Sequence, residues 1–144
     1  MLEGYNTKVT AIGYNSKWVE SKPLTSKCAN GVAQFMYELV CRHGAAKIHI
    51  SDQGREFINQ VCAKFCKLCY TKHNITSAYH PQANGEVERF NRTTQEAFIK
   101  TQELHHRVAK EDTDWARRLP GILFAYRVRK QASTRFSPFQ ILYA

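Results

Sequence analysis

The sequence predicts an α/β protein in which a mixed sheet is flanked by helices. Three observations predict it. Strand-like and helix-like segments follow in the order strand–strand–helix–strand–helix–strand–helices, the longer segments repeat apolar residues at helical spacing, and 43% of the 144 residues are hydrophobic. This length suits one domain with a real core, so residues 1–144 are expected to form a single domain.

The first half of the chain carries short alternating segments and two amphipathic ones. A turn at Asn15-Ser16 separates the first two strands, and His43-Gly44 ends the first helix. In chain order we expect strands at residues 8–14 and 17–22, a helix at 25–42 capped by Thr25, a buried strand at 47–51, a helix at 53–70 and a strand at 72–76.

The second half is predicted to be helical. A long helix at residues 85–106 follows a loop punctuated by Pro81 and Asn84-Gly85. After a charged break comes a helix at residues 115–128, which Pro120 is expected to bend or divide. A last short helix begins at Ser137-Pro138.

The charge balance indicates the kind of partner. Lys and Arg number 21 against 12 acids, a net charge of +9. This excess favours a polyanion such as nucleic acid, although a solvated basic surface is the alternative. No apolar run approaches the ~20 residues that span a bilayer. Five cysteines, an odd number, favour a reducing compartment over a disulfide framework.

Three cysteines are closely spaced and allow two interpretations. Cys62, Cys66 and Cys69, with His73 as a fourth ligand, have a spacing that zinc could use. The same cysteines fall at helical spacing on an apolar face, and buried cysteine behaves as a small hydrophobe. Core packing is the favoured interpretation.

Two acids, Asp52 and Glu88, are separated by 35 residues and are the candidate catalytic and metal-binding residues. Asp52 follows the strand at residues 47–51, and Glu88 lies one turn into the long helix. Carboxylates are hard ligands for magnesium or manganese in phosphodiester chemistry. Alternatively, Asp52 caps a helix and Glu88 pairs with Arg92 four residues on.

The residues around Glu88 suit a nucleic-acid strand. Aromatic rings stack on bases, amides bond to them and guanidinium groups meet phosphates. The candidate nucleic-acid-binding residues are Tyr79, His80, Gln82, Asn84, Arg89 and Arg92.

Together these segments resemble the catalytic core of a retroviral or Gypsy-type retrotransposon integrase. The resemblance runs through residues 16–24 (SKWVESKPL), 41–44 (CRHG), 51–57 (SDQGREF), 77–85 (SAYHPQANG), 88–91 (ERFN), 123–127 (LFAYR) and 137–143 (SPFQILY). It implies an RNase H-like fold and a D,D-35-E site that joins DNA ends with Mg²⁺ or Mn²⁺. Asp52 and Glu88 correspond to the second and third acids, and Asn84 to a DNA contact.

The departures from the family bear on activity. The family's first acid lies on a first strand upstream of residues 8–14, which this chain begins too late to contain, and that strand lies inside the sheet. Buried backbone groups left unpaired by its loss would cost about 1–3 kcal/mol each. Three explanations are open: residues 1–5 supply a stub, the sheet re-pairs, or the chain is a fragment or a degraded gene product.

Three functions remain open at this point. The first is a truncated, DNA-binding integrase core with impaired catalysis, and the second an active core whose first acid a longer chain supplies. The third is an interaction module that forms a homodimer through helices such as residues 115–128. DNA is the expected partner in the first two, with no membrane or small-molecule substrate, and the expected location is nuclear or nucleocytoplasmic.

Overall fold

The computed structural model describes residues 4–76, 85–108 and 115–144, and only the backbone of residues 101–108. No helix within these ranges is long and apolar enough to cross a membrane. The described elements are β1 (Thr7–Ile12), β2 (Val19–Leu24), α1 (Ala29–His43), β3 (Ile48–Ser51), α2 (Gln60–Leu68), β4 (Lys72–Ile75), α3 (Gly85–Val108), α4 (Trp115–Val128) and α5 (Pro138–Tyr143). Their order is the predicted one.

The described strands form two sheets of two strands each. In the β1–β2 hairpin the Gly13 amide donates to the Trp18 carbonyl at 2.9 Å, and the Asn6 amide to the Leu24 carbonyl at 3.2 Å. The other sheet pairs β3 with β4 in parallel, with Ile48 opposite Lys72. The predicted α/β class is confirmed, but the described strands do not re-pair into one mixed sheet. Residues 1–3, part of the expected stub, lie outside the described residues.

The chain divides into two compact units. One, called here the Asp52 unit, comprises Met1–Val9 and Lys22–Glu86; the other, the Glu88 unit, comprises Thr10–Ser21 and Val87–Ala144. The β1–β2 hairpin contributes residues to both units. The expectation of a single domain stays a prediction.

In the Asp52 unit the core lies where α1 packs on α2. Apolar residues at helical spacing on both helices supply it, because positions three and four apart share a helix face. The buried apolar residues of this unit are Val9, Val32, Phe35, Met36, Cys62 and Cys66.

Both helices of this unit begin later than predicted. Cys28, not Thr25, caps α1, and its Sγ accepts from the Gly31 amide at 3.4 Å. Asn59 caps α2 by accepting from the Cys62 amide at 2.9 Å, and its own amide group donates to the carbonyls of Arg55 and Glu56. Because Asn59 stabilises the turns before it, residues 53–59 do not join the helix.

The Glu88 unit has a core of aromatic and aliphatic side chains. Phe90 of α3 meets Tyr126 of α4 edge to face, with 5.0 Å between ring centroids. Pro120 lies within α4 but does not divide it, because Leu119 and Leu123 on either side are packed in this core. The buried cluster comprises Val19, Phe90, Leu119 and Leu123.

Arg127 joins the hairpin of this unit to α4. Its guanidinium donates to the Val19 carbonyl at 3.0 and 2.8 Å and pairs with Glu20 at 3.2 Å. It also lies 4.4 Å from the centre of the Trp18 ring. One side chain therefore satisfies a carbonyl, a carboxylate and an aromatic face.

Candidate active site

Asp52 directly follows β3, and its side chain is exposed to solvent. Its Oδ1 accepts from the Gly54 amide at 2.8 Å, which makes a local turn of the kind that aspartate favours. Since α2 begins only at Gln60, the alternative in which Asp52 caps that helix is wrong. The carboxylate projects from the end of a parallel strand, a common place for functional groups.

A chain of hydrogen bonds lies immediately before Asp52. The Ser51 hydroxyl donates to the Asp52 carbonyl at 3.0 Å and lies 2.7 Å from His73 Nε2 on β4. The Ser51 carbonyl accepts from both the amide and the hydroxyl of Thr76, at 2.9 and 3.2 Å. Ser51 is buried, so these bonds fix the end of β3.

A second histidine, His49, shares this face of the sheet. Its ring lies 5.2 Å from the ring of His73. Burial, followed by the nearby His73, lowers the pKa of His49 from 6.5 to about 4, and burial also lowers the pKa of His73. Among the described residues the buried His49 Nε2 has no hydrogen-bond partner. The His49 ring is therefore uncharged at neutral pH, and burial favours the uncharged form of His73.

The burial of β3 is the reverse of what its apolar residues predicted. Ile48 and Ile50 are 53% and 46% exposed, whereas Ser51 is buried and His49 half-buried. Side chains alternate between the faces of a strand, so His49 and Ser51 share the covered face. The expected buried apolar strand is wrong in this respect, because its polar face points inward.

Glu88 lies one turn into α3, as predicted, and is exposed. The opposite face of the helix is anchored by Phe90 and Thr94, both buried, and the Thr94 hydroxyl donates to the Phe90 carbonyl at 2.7 Å. The ion pairs of the described residues do not include one between Glu88 and Arg92, and the salt-bridge alternative stays a prediction. The helix therefore presents the Glu88 carboxylate to solvent.

The candidate nucleic-acid residues fall into two groups. Arg89 and Arg92 are exposed on α3 beside Glu88, as is Lys100 further along. Tyr79, His80, Gln82 and Asn84 lie outside the described residues.

Asp52 and Glu88 belong to different compact units, and their pairing rests on the sequence resemblance. In the described part of the chain, no three His, Cys, Asp or Glu side chains gather as a metal site would require. For two of the three closely spaced cysteines, the structure agrees with core packing, the favoured alternative to zinc binding. Cys62 and Cys66 are buried, which raises the pKa of both thiols, and Cys62 Sγ donates to the Glu56 carbonyl at 3.3 Å.

Solved structures match this fold over nearly the whole chain. The catalytic core domain of BIV integrase superposes with a TM-score of 0.72 at 21% identity, over 95% of this chain and 86% of that one. The simian T-cell lymphotropic virus intasome was solved in complex with PP2A regulatory subunit B56 gamma. One of its chains superposes with a TM-score of 0.79 at 15% identity, over 95% of this chain and 48% of that one. The chain therefore has the fold of a retroviral integrase catalytic core.

Sequence relatives point the same way, although no protein-family model matches. The chain is 33% identical to a Gag-Pol polyprotein of feline leukemia virus and 32% identical to a Pol polyprotein of radiation murine leukemia virus, over 99% of its length. Over 97% of its length it is 26% identical to the retrovirus-related Pol polyprotein from transposon 412 of Drosophila melanogaster. The chain spans only 8%, 24% and 11% of these proteins. The resemblance to the integrase core of retroviruses and retrotransposons is confirmed.

Sequence reasoning missed the part played by His49, Ser51 and His73. His73 enters the sequence predictions only as a zinc ligand, and His49 does not enter them. A signal was available in the alternation of Ile48-His49-Ile50-Ser51, which places the two polar side chains on one face. Their meeting with His73 depends on the register of β3 against β4, in which His49 lies opposite His73.

Proposed function

We propose that this chain is an integrase-derived core domain that binds DNA and whose catalysis is impaired in the isolated chain. The observation that carries the proposal is the integrase-core fold, in which Asp52 follows β3 and Glu88 projects from the first turns of α3. In this proposal the two carboxylates are the second and third acids of a site for Mg²⁺ or Mn²⁺. Asp52 and Glu88 would hold such ions through their carboxylate oxygens, and a pair of ions would supply activation of the attacking oxygen at one metal and stabilisation of the leaving oxygen at the other.

The surface of α3 supports DNA as the partner. Arg89 and Arg92 are exposed beside Glu88, and the chain carries a net charge of +9. Guanidinium groups next to a catalytic carboxylate would neutralise phosphates and position the strand without reading its sequence. Tyr79, His80, Gln82 and Asn84 are proposed to contact the same strand.

A salt titration of DNA binding tests this role. Anisotropy of a labelled duplex should show an affinity that falls steeply with salt, because each neutralised phosphate contributes about −0.9 to the logarithmic slope. Arg89→Gln and Arg92→Gln should each reduce the slope by about 1. Arg129→Gln, a change at an exposed arginine of the same unit, is the matched control and should leave it unchanged. A flat salt response in the unaltered chain would overturn the DNA-binding proposal.

Metal titration tests the carboxylates. Mn²⁺ should broaden the NMR signals of residues near Asp52 and Glu88, and Asp52→Asn or Glu88→Gln should weaken this effect. Glu96→Gln removes an exposed carboxylate from the same helix and is the control. The absence of any metal-dependent change would remove the metal role from the proposal.

A strand-transfer assay tests the claim of impaired catalysis. The purified 144-residue chain should show little activity on labelled DNA ends. Robust strand transfer that Glu88→Gln abolishes would contradict the impairment. The second candidate is an active core completed within a longer protein, and it predicts strand transfer only when a longer chain supplies the first acid. That candidate is favoured by one finding: the chain matches only a small part of each relative.

A third candidate is an interaction module that forms a homodimer. It is favoured by apolar side chains on α4 and after it, since Phe124 is 60% exposed and Phe136 57%. Sedimentation of the purified chain distinguishes it, because Phe124→Ser would shift a dimer towards monomer without altering the salt slope of DNA binding. A nuclear or nucleocytoplasmic location belongs to the DNA-binding proposal and is tested by imaging a tagged chain.

A further inference from the structure

We propose that His73 is a positioning residue for Asp52, acting through the Ser51 hydroxyl. The imidazole is on β4, the hydroxyl at the end of β3, and the carboxylate on the next residue. The contacts run without interruption, from His73 Nε2 to Ser51 Oγ at 2.7 Å and from Ser51 Oγ to the Asp52 carbonyl at 3.0 Å. The metal-related consequence rests on the proposed function, whereas the positioning itself does not.

The number of available protons indicates which group donates in each of these hydrogen bonds. A serine hydroxyl has a single proton, and here it is donated to the Asp52 carbonyl. When the serine proton is used in this way, the ring nitrogen is the donor in the short contact with His73, and we assign the His73 proton to Nε2 on that basis. Each donor is matched to one acceptor, and the serine proton is directed at the Asp52 backbone.

Asp52 is then restrained by two hydrogen bonds, one at its backbone carbonyl and one at its side-chain carboxylate. The carbonyl is restrained by Ser51, and the carboxylate by the Gly54 amide, which donates to Oδ1 at 2.8 Å. Asp52 lies just beyond the last residue of β3, and these two bonds orient the acid at that point. Groups that orient a ligand residue in this way tune its affinity for a metal.

His49 provides a matched comparison on the same face. It is half-buried, its ring lies 5.2 Å from that of His73, and its Nε2 has no partner among the described residues. If the sheet needed only a packed ring here, His49 and His73 would be equivalent. If the hydrogen bond to Ser51 matters, only changes at His73 will reach Asp52.

The test compares four variants of the full chain by NMR without metal. His73→Leu and Ser51→Ala should speed solvent exchange of the Gly54 amide roughly three- to tenfold, as loss of one hydrogen bond does. His73→Gln places an amide donor near the position of Nε2 and should restore the rate to within about twofold. His49→Leu should leave it unchanged. The Ala63 amide within α2 serves as the reference for general unfolding.

A second arm uses Mn²⁺ alone as the probe. Paramagnetic broadening of the Gly54 amide should give an apparent Kd about tenfold weaker in His73→Leu, the low end of the range for residues behind a metal ligand. His73→Gln should stay close to the unaltered chain. If Mn²⁺ does not bind at Asp52 in the unaltered chain while the exchange rates behave as expected, the proposed metal role fails and the positioning role stands.

Two results would overturn the positioning role. One is an unchanged Gly54 exchange rate in both His73→Leu and Ser51→Ala. The other is an equal effect of His73→Leu, His73→Gln and His49→Leu, which would mean that ring packing alone matters. If the His73 variants do not fold, Ser51→Ala tests the positioning role by itself. It removes both hydrogen bonds of the Ser51 hydroxyl and only one small polar atom.

Discussion

Asp52 follows a strand of four residues and is held by hydrogen bonds, whereas Glu88 is carried by a helix of 24 residues whose inner face is packed. Around Asp52 the buried groups are polar, with Ser51 bonded to His73. Beneath Glu88 they are mainly apolar and aromatic, with Phe90 against Tyr126. Neither acid is buried, so the difference lies in what fixes the backbone beneath it.

The comparison teaches that the two carboxylates depend on different physical forces. Packing of large side chains tolerates a change of pH but not a loss of volume. A buried network of histidine and serine tolerates little loss of volume either, but it also responds to protons. The four predictions below separate these dependences, in decreasing order of expected effect.

Phe90→Ala should have the largest effect. It empties a buried site in the core of the Glu88 unit, and large-to-small changes of this kind cost about 3–5 kcal/mol of unfolding free energy. Denaturant unfolding measures it. Phe124→Ala on α4, where the ring is largely exposed, is the control and should cost less than about 1 kcal/mol. Similar losses in both variants would contradict the description of this core.

Arg127→Met should destabilise the same unit by about 3 kcal/mol, because it leaves Glu20 largely buried without its cation and Val19 without its donors. The aliphatic chain of methionine retains much of the packing. Arg129→Met, just beyond α4, should change the unfolding free energy by less than about 0.5 kcal/mol. Equal losses of unfolding free energy in Arg127→Met and Arg129→Met would show that the ion pair with Glu20 and the bonds to the Val19 carbonyl do not stabilise this unit.

Acid should weaken the protein through His49. Its pKa is about 4 in the folded chain against 6.5 ordinarily, because burial and then His73 oppose the charged form. The unfolded chain therefore binds the proton first, so the contribution is complete above pH 6.5 and is lost as the pH falls towards 4. By linkage the loss approaches about 3 kcal/mol at pH 4.

His49→Leu is the measurement's internal comparison. Unfolding free energies of the unaltered chain and the variant, taken from pH 7 to pH 4, should converge or cross as the pH falls. His73, whose pKa burial also lowers, leaves a smaller slope of the same sign in the variant. An identical pH dependence in both proteins would refute the assignment to His49.

The smallest effects should come from the helix caps, one in each unit. Asn59→Ala should cost about 1–2 kcal/mol, since it removes the cap of α2 and two donors to the preceding turns. Ser137→Ala removes one cap of α5 and should cost about 1 kcal/mol. Asn59→Asp keeps the capping oxygen and loses the donors, so its stability should lie between that of the unaltered chain and that of Asn59→Ala. Full stability in Asn59→Asp would show that only the cap matters.

Local patterns predicted most of the elements but not all of their limits. The stripe through Phe90 and Thr94 made α3 recognisable, and Ser137-Pro138 marked the start of α5. The start of α2 was placed seven positions early, at residue 53 rather than Gln60. Apolar spacing extends through that segment, whereas the bonds from Asn59 to Arg55 and Glu56 that hold it in turns are a property of the folded chain.

The candidate site was predicted unevenly for a similar reason. Asp52 and Glu88 lie in motifs specific enough to be read from the chain, and the structure places each at the element expected. The environment of Asp52 was not predicted. An isoleucine-rich strand was expected to bury its isoleucines, but here the polar face carrying Ser51 and His49 is the covered one.

The sequence by itself determined the integrase-core resemblance, the two acids and the order of the elements, because motifs and periodicity depend on residues close together in the chain. Only the tertiary structure decided which face of β3 is covered and that His73 meets Ser51. Those contacts join residues 22 positions apart through the register of two parallel strands. Register is specified by which face of the strands is buried, and the face of β3 that is covered became evident only in the folded chain.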